Sequence, residues 1–300
     1  MMLQHFDERN RGLLVSINGS LIHRDRAGVS PFDSAVQNGD AVWEGLRLYH
    51  GRIFKLAEHL KRLRDSAGAL AYADIPLPET ITEQIRRTLN ANGMRHGVHI
   101  RLTLSRGVKY TSGMDPRLNT FGPTLIILAE HKPPVYDKGG IRLVTARHRR
   151  PPADILDQRI HSCNQLTSIL AKIEANAAGV DDALMLDTRG FVAETNATHV
   201  FCASRGIVAT PTTAACPEGI TRRVVLQLCR DHGIRCEVRD ITLQELCSAD
   251  EIFCTGTMGE IAPVIEIDGR PVSGGATGEL TRRLSGLFDT LTRSQGVPIV

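Results

Sequence analysis

Gly190-Phe-Val-Ala-Glu-Thr-Asn-Ala-Thr-His-Val-Phe201, Gly206-Ile-Val-Ala-Thr-Pro211 and Pro217-Glu-Gly-Ile-Thr-Arg222 read in order as strand, turn, strand, loop and helix start. Glu194 puts one carboxylate at the end of the first strand. Ile220, Val224 and Leu228 recur at i, i+4, i+8, the period of a helix that opens at Gly219-Ile220-Thr221. The first amides of a helix have no internal partner, and its dipole adds partial positive charge there. Such an end suits a phosphate. A carboxylate near it predicts a ligand with a phosphate at one end and a basic nitrogen at the other.

Pyridoxal 5'-phosphate answers that description. The run resembles the signature of the class IV (fold type IV) pyridoxal-phosphate aminotransferases, which include branched-chain and D-amino acid aminotransferases and aminodeoxychorismate lyases. The resemblance extends from about Val15 to Leu287. It implies an α+β fold of two domains with the cofactor cleft between them. It also implies a homodimer that completes the site, and an amino acid or 2-oxo acid as small-molecule substrate. Glu130-His-Lys-Pro-Pro-Val-Tyr-Asp137 breaks both secondary-structure periods and carries two adjacent prolines. The expected division is therefore an N-terminal domain over 1–130, a linker over 131–137 and a C-terminal domain over 138–300.

The bulk properties agree with a soluble globular protein. The 300 residues are 42% hydrophobic and 23% charged, with a net charge of +3, too small to argue for nucleic acid. No apolar run reaches about 18 residues, so no membrane span is expected. The start, Met-Met-Leu-Gln-His-Phe-Asp-Glu, has no basic segment followed by an apolar one, so no signal peptide is expected. The 7 cysteines are scattered without a CxxC, which argues for free thiols in a reducing cytoplasm and against a disulfide scaffold or zinc site.

Along the chain, Val15 to Ile22 reads as a hairpin about Asn18-Gly19, and a second is expected about His50-Gly51. Helices are expected over Leu56 to Ala71 and Thr80 to Ala91, and strands over Val98 to Ser105 and Thr124 to Ala129. After the linker come a strand at Ile141 to Ala146 and a helix over Cys163 to Ala178. The apolar stripe of that helix is Leu166, Ile169, Leu170 and Ile173. Strands follow at Ala183 to Asp187, Phe191 to Thr195, Val200 to Ala203, Ile207 to Ala209 and Glu251 to Thr255. A hairpin about Asp268-Gly269 and a helix marked by Leu280, Leu284, Leu287 and Phe288 close the pattern.

The family resemblance assigns roles. Val29 to Gly45 resembles the family's N-terminal loop, with Ala41 in place of a glycine and Trp43 at its aromatic position. Arg62, in His59-Leu-Lys-Arg-Leu63, matches the arginine that contacts the cofactor phosphate, a group a guanidinium can grip with two bonds. Gly219, Ile220, Thr221, Gly256 and Thr257 match the turns on either side of that phosphate. Glu194 matches the glutamate on the pyridine nitrogen, which keeps the ring an electron acceptor. Arg106 or Arg101 would bind the substrate carboxylate.

One stretch departs from the pattern. In Ile160-His-Ser-Cys-Asn-Gln-Leu166 the family's Schiff-base lysine falls on His161, or on Ile160 with the branched-chain offset. Imidazole has no primary amine. Gln165 and His199 also depart from the family's usual tyrosine and asparagine. Lys172 matches a second, non-catalytic lysine, and Lys109 lies on a loop that could face the cleft. His161 could still move a proton near neutral pH. Three functions stay open: amino transfer using pyridoxal or pyridoxamine phosphate, a lyase or other enzyme with His161 as acid and base, and a non-catalytic cofactor-binding protein.

Overall fold

A computed structural model describes residues 4–300. The chain divides into two compact units. The first comprises His5–Pro133, Ile160–Asn164 and Thr292–Val300; the second is built on Pro134–Arg159 and Gln165–Leu291.

The strands of the first unit are β1 (Leu14–Ile17), β2 (Ser20–His23), β3 (Ala41–Tyr49), β4 (Arg52–Ile53), β5 (Val98–Ser105), β6 (Thr124–His131) and β16 (Val297–Pro298). Among the described residues they form a seven-stranded sheet in the order β16-β4-β3-β5-β6-β1-β2. Asn18 and Gly19 both take positive φ, 48° and 83°, which a two-residue hairpin turn with the right twist requires. Helices α1 (Ser34–Asn38), α2 (Leu56–Ala69) and α3 (Pro78–Ala91) complete the unit. Alternation along β5 sends Val98, Ile100, Leu102 and Leu104 into the core with Leu46, Leu48 and Leu63. His99, Arg101 and Thr103 fall on its other face. β3 pairs with β5 so that Trp43 lies opposite Thr103, and Glu44 opposite the core residue Leu102. The parity of the strand therefore puts a carboxylate on the buried side. In α3, Ile81, Ile85 and Leu89 are fully buried, as their period predicts.

The strands of the second unit are β7 (Ile141–Thr145), β8 (Asp182–Leu186), β9 (Val192–Thr195), β10 (His199–Ser204), β11 (Ile207–Thr210), β12 (Cys236–Val238), β13 (Glu251–Gly256), β14 (Glu260–Ile267) and β15 (Arg270–Pro271). Among the described residues they form a nine-stranded sheet in the order β12-β11-β10-β13-β14-β7-β8-β9, with β15 on β14. The helices are α4 (Ala153–Leu156), α5 (Leu166–Ala177), α6 (Ile220–Asp231), α7 (Leu243–Cys247) and α8 (Glu279–Ser294). Ile220, Val224 and Leu228 are buried on α6, and Phe201 stacks on Phe253 at 5.0 Å between ring centroids.

The expected face of α5 is corrected. Ser168, Ala171 and Ala175 are buried, while Leu166, Ile169 and Ile173 are 67%, 54% and 56% exposed. Ala171 and Ala175 pack on Ala146, Ala183 and Met185. Small side chains let the helix backbone approach that sheet closely, and the bulky stripe is turned outward.

Candidate active site

In the second unit, β9, a tight turn and β10 bring the predicted residues together. The Glu194 carboxylate, at the end of β9, is 4% exposed. Arg150 Nη2 lies 2.9 Å from Glu194 Oε1, and the same guanidinium donates to the Thr195 carbonyl (3.1 Å) and to Gln158 Oε1 (3.3 Å). A buried carboxylate is costly without such a partner. The Thr195 and Thr198 hydroxyls bond at 2.8 Å, and the Thr198 amide donates to Thr195 Oγ1 (2.8 Å). That clasp fixes the direction of His199, whose Nε2 lies 3.9 Å from Glu194 Oε2 and 2.7 Å from the Pro217 carbonyl.

The same turn touches both glycine motifs. A Cβ on Gly219 would sit 2.5 Å from His199 Nδ1 and Cε1, and one on Gly256 would sit 2.9 Å from the Thr198 methyl. Each position accepts glycine because a side chain has nowhere to go. Gly219 caps α6 without any side-chain hydrogen bond to the helix start, and Thr221 is buried in its first turn. Thr257 is half-buried just past the end of β13. The fully buried Thr255 Oγ1, opposite His199 in the sheet, has no hydrogen-bond partner among the described residues. The structure thus brings Glu194, Gly219 and Gly256 to Thr198 and His199, with Ile220, Thr221 and Thr257 next to those glycines in the chain.

In the first unit a separate cluster surrounds Glu44, whose carboxylate is fully buried. Arg62 Nε donates to Oε1 at 2.6 Å and Nη2 to Oε2 at 2.8 Å, while His59 Nδ1 lies 2.6 Å from Oε2. Burial opposes the charge, but Arg62 and His161 outweigh it and hold the carboxyl well below the usual carboxylate range. The stretch Ile160–Asn164 runs beside the start of β3. The Trp43 amide donates to the His161 carbonyl (3.0 Å), and the Cys163 amide to the Ala41 carbonyl (2.7 Å).

His161 stacks on Trp43 at 4.2 Å. Its Nδ1 is 2.6 Å from the Trp43 carbonyl and 3.5 Å from Glu44 Oε1. A carbonyl only accepts, so Nδ1 carries the proton and Nε2 the basic lone pair. Burial, then Arg62, pushes this imidazole below its ordinary value, against the pull of Glu44. On the strand side, the Arg101 guanidinium lies 3.6 Å over the Trp43 ring and 4.0 Å from Cys163 Sγ. Ile160 packs against the apolar core of the unit.

The two arginines weighed for a substrate carboxylate are placed differently. Arg106 is committed to Asp40 through Nε (2.6 Å) and to the Leu70 carbonyl (2.8 Å). Arg101 stays beside the Trp43–His161 stack. Lys109, on the loop that could face the cleft, is 4% exposed, with Nζ on Asn38 Oδ1 (2.6 Å) and the Gly113 carbonyl. Lys172 is held by the Asp181 carbonyl and Asp182 Oδ1. Neither supplies an amine to either cluster.

Sequence reasoning missed Glu44 and Arg150. Glu44 carried a signal, since the strand parity of Val42, Leu46 and Leu48 marks its side chain as buried. Arg150 belongs to no motif that the sequence displays.

The family profile of the class IV amino-transferases matches residues 41–267. The chain belongs to the amino-transferase class IV family. It is 53% identical, over 97% of its length, to the branched-chain-amino-acid aminotransferase-like protein 2 of Arabidopsis thaliana, and covers 52% of that relative. The chain therefore spans about half the length of that relative. It is 41% identical to a putative branched-chain-amino-acid aminotransferase of Methanocaldococcus jannaschii, over 95% of this chain and 98% of that one. Among solved structures, the T.th. branched-chain amino acid aminotransferase complexed with N-(5'-phosphopyridoxyl)-L-glutamate matches with a TM-score of 0.88 and 33% identity, covering 94% of this chain and 95% of that one. The same enzyme with pyridoxamine 5'-phosphate gives the same TM-score of 0.88. The fold is that of the type IV branched-chain aminotransferases.

Proposed function

We propose that the protein is an aminotransferase-like enzyme that moves an amino group between an amino acid or amine and a 2-oxo acid. Its cofactor is pyridoxal 5'-phosphate or pyridoxamine 5'-phosphate. One observation carries the reading: the buried Glu194–Arg150 pair and the start of α6, which no side chain caps, both adjoin His199. A buried carboxylate suits a protonated ring nitrogen, and an open helix start suits a phosphate. The residues fit both ends of such a group. They do not fit a covalent anchor, because neither His161 nor Ile160, the two residues on which the family's lysine falls, has a primary amine, and Lys109 and Lys172 are engaged elsewhere. The cofactor would therefore be held noncovalently.

The roles follow from these chemistries. Glu194 faces the ring nitrogen. In the second unit the amides of Ile220 and Thr221, with Gly219, Gly256 and Thr257, would hold the phosphate; in the first unit Arg62, the arginine the family resemblance gives to a phosphate, is held in one orientation by Glu44. Arg101 takes the substrate carboxylate; Arg106, tied to Asp40, supports the strand end. When bound, pyridoxamine phosphate supplies the amino group that passes to a 2-oxo acid. His161 accepts and returns the proton at Nε2, because Nδ1 is spent on the Trp43 carbonyl.

We further propose a homodimer, supported by the outward apolar stripe of α5. Among the described residues no helix is long and apolar enough to cross a membrane. The free cysteines support a reducing, cytoplasmic setting. The test is a single turnover. The purified 300-residue chain is mixed with pyridoxamine phosphate and a panel of 2-oxo acids, and amino acid and pyridoxal phosphate are quantified. Equal amounts of both support the proposal; no product with any 2-oxo acid sinks it.

A further inference from the structure

We propose that Tyr136 is a positioning residue of the cofactor site: its hydroxyl, set between Thr198 and Asp182, holds the turn between β9 and β10, and with it the direction of Glu194 and His199. The inference rests on the function proposed above, in which Glu194 faces the ring nitrogen. Tyr136 lies in the stretch 131–137, outside every motif that carries the family resemblance.

The chain on both sides of Tyr136 is fastened to the turn between β13 and β14. The Val135 amide donates to the Met258 carbonyl (3.0 Å), and Lys138 Nζ donates to Glu260 Oε2 (2.9 Å). The Tyr136 ring fills the space that Gly259 leaves, where a Cβ would lie 2.5 Å from Cε2. Its hydroxyl reaches the other turn. Thr195 Oγ1 accepts from the amides of Ala197 (3.1 Å) and Thr198 (2.8 Å), which occupies both of its lone pairs. Its own proton therefore goes to Thr198 Oγ1, 2.8 Å away. The Thr198 hydroxyl also bonds to Tyr136, and the Tyr136 hydroxyl bonds to Asp182 Oδ2. A carboxylate only accepts, so the protons point one way along the row, from Thr195 to Thr198, Tyr136 and Asp182. Burial, and then the Asp182 charge, raise the Tyr136 hydroxyl well above its ordinary value, so it keeps the proton it donates. The other oxygen of Asp182 accepts from Lys172 Nζ (3.1 Å) and Asn196 Nδ2 (3.2 Å), and Asn196 exchanges two bonds with Ala183 on β8.

One phenol thus joins the turn that carries Glu194 to the turn that carries Thr257. A rigid ring with a phosphate arm engages both only while their separation is kept. The experiment compares the 300-residue chain with Tyr136→Phe, which leaves the ring on Gly259 and removes only the hydroxyl. Thr281→Val is the control: it deletes a hydroxyl that donates to another carboxylate of the same unit, Glu251 Oε2 (2.7 Å), at the start of α8. Each is titrated with pyridoxal phosphate isotope-labelled at the ring nitrogen. Tyr136→Phe should weaken binding about tenfold, the scale of one lost bond to a charged group, and move the nitrogen resonance towards its unprotonated position. Adding Tyr136→Phe to Thr198→Val should cost little more than Thr198→Val alone, because the two act through one bond. Without cofactor, hydrogen exchange at the Ala197 and Thr198 amides should quicken in Tyr136→Phe and not in Thr281→Val. Unchanged exchange there overturns the inference. So does quicker exchange with unchanged affinity and resonance, or losses that add in full in the double variant or that Thr281→Val reproduces. If the unsubstituted chain binds no pyridoxal phosphate, the proposed function fails and takes this inference with it. If it binds and Tyr136→Phe binds equally, the inference fails alone.

Discussion

The Arg62 guanidinium closes on the buried Glu44 carboxylate through two bonds, 2.6 Å from Nε and 2.8 Å from Nη2, while His59 reaches the same carboxylate from one turn earlier on α2. Glu44→Gln removes the charge and leaves Arg62 and its neighbours without their anion. Truncating one partner of a buried pair costs about 3–5 kcal/mol. Urea unfolding of the variant should show a loss on that scale. A loss under about 1 kcal/mol would mean that Arg62 gains little from Glu44 and is free to turn elsewhere.

The lysine position can be tested by restoring it. His161→Lys should give a pyridoxal-phosphate adduct that borohydride fixes and mass spectrometry maps to that position, and Ile160→Lys should not. The reason is placement: His161 lies between Trp43 and Glu44, whereas Ile160 packs into the core. Labelling of Ile160→Lys alone would assign the family's lysine to the other position.

His99 sets a pH dependence. Burial, followed by the charges of Lys132, Arg47 and Arg101, holds its imidazole at about 3. In the unfolded chain it titrates near ~6.5. Above that value neither state binds the proton and the group contributes nothing to the slope. As pH falls from ~6.5 towards 3 the unfolded chain takes up a proton that the folded chain refuses, so stability falls. The depressed imidazole of His161 acts in the same direction. His99→Gln should flatten the acid limb of a stability–pH curve by a few kcal/mol, on the order of 1.4 per pH unit for each group. An unchanged limb would show that His99 becomes protonated inside the fold.

Leu166, Ile169 and Ile173 leave α5 with an outward apolar face. If a second copy covers it, Ile169→Glu with Ile173→Glu should turn a dimer into a monomer in light scattering, with the far-ultraviolet spectrum unchanged. A variant that stays dimeric puts the interface elsewhere.

Gly219→Ala places a methyl group 2.5 Å from the His199 ring. Overpacking of this kind costs about 1–3 kcal/mol, and here the ring must also swing. Thermal melts should fall accordingly, and pyridoxal-phosphate binding should weaken. A silent substitution would show that the ring moves aside freely.

How much of this could be read beforehand depended on scale. Local periodicity was enough for the Asn18-Gly19 hairpin, for the buried row of Ile81, Ile85 and Leu89, and for the opening of α6 at Ile220. It misled at α5. An apolar stripe says which face avoids water, not what lies behind it, and the sheet surface of Ala146 and Ala183 accepts alanines and not isoleucines. β12 and β16, with three and two residues, are too short to leave a pattern. The Glu194 motif was legible because its residues are near neighbours in the sequence. Arg150 reaches the same turn through the fold, and no spacing pointed to it.

Ile160–Asn164 and Thr292–Val300 belong to the first unit although long stretches of chain separate them from its other residues. The Ile299 amide donates to the Gly51 carbonyl at 2.9 Å, and Ile299 joins the same apolar core as Leu48 and Ile53. During synthesis on a ribosome, this sheet must wait for its last edge strand until nearly all of the second unit has been translated. A fragment ending at Pro133 would lack both β16 and the strip that borders Trp43, and should be released as an incompletely folded chain that proteases digest quickly.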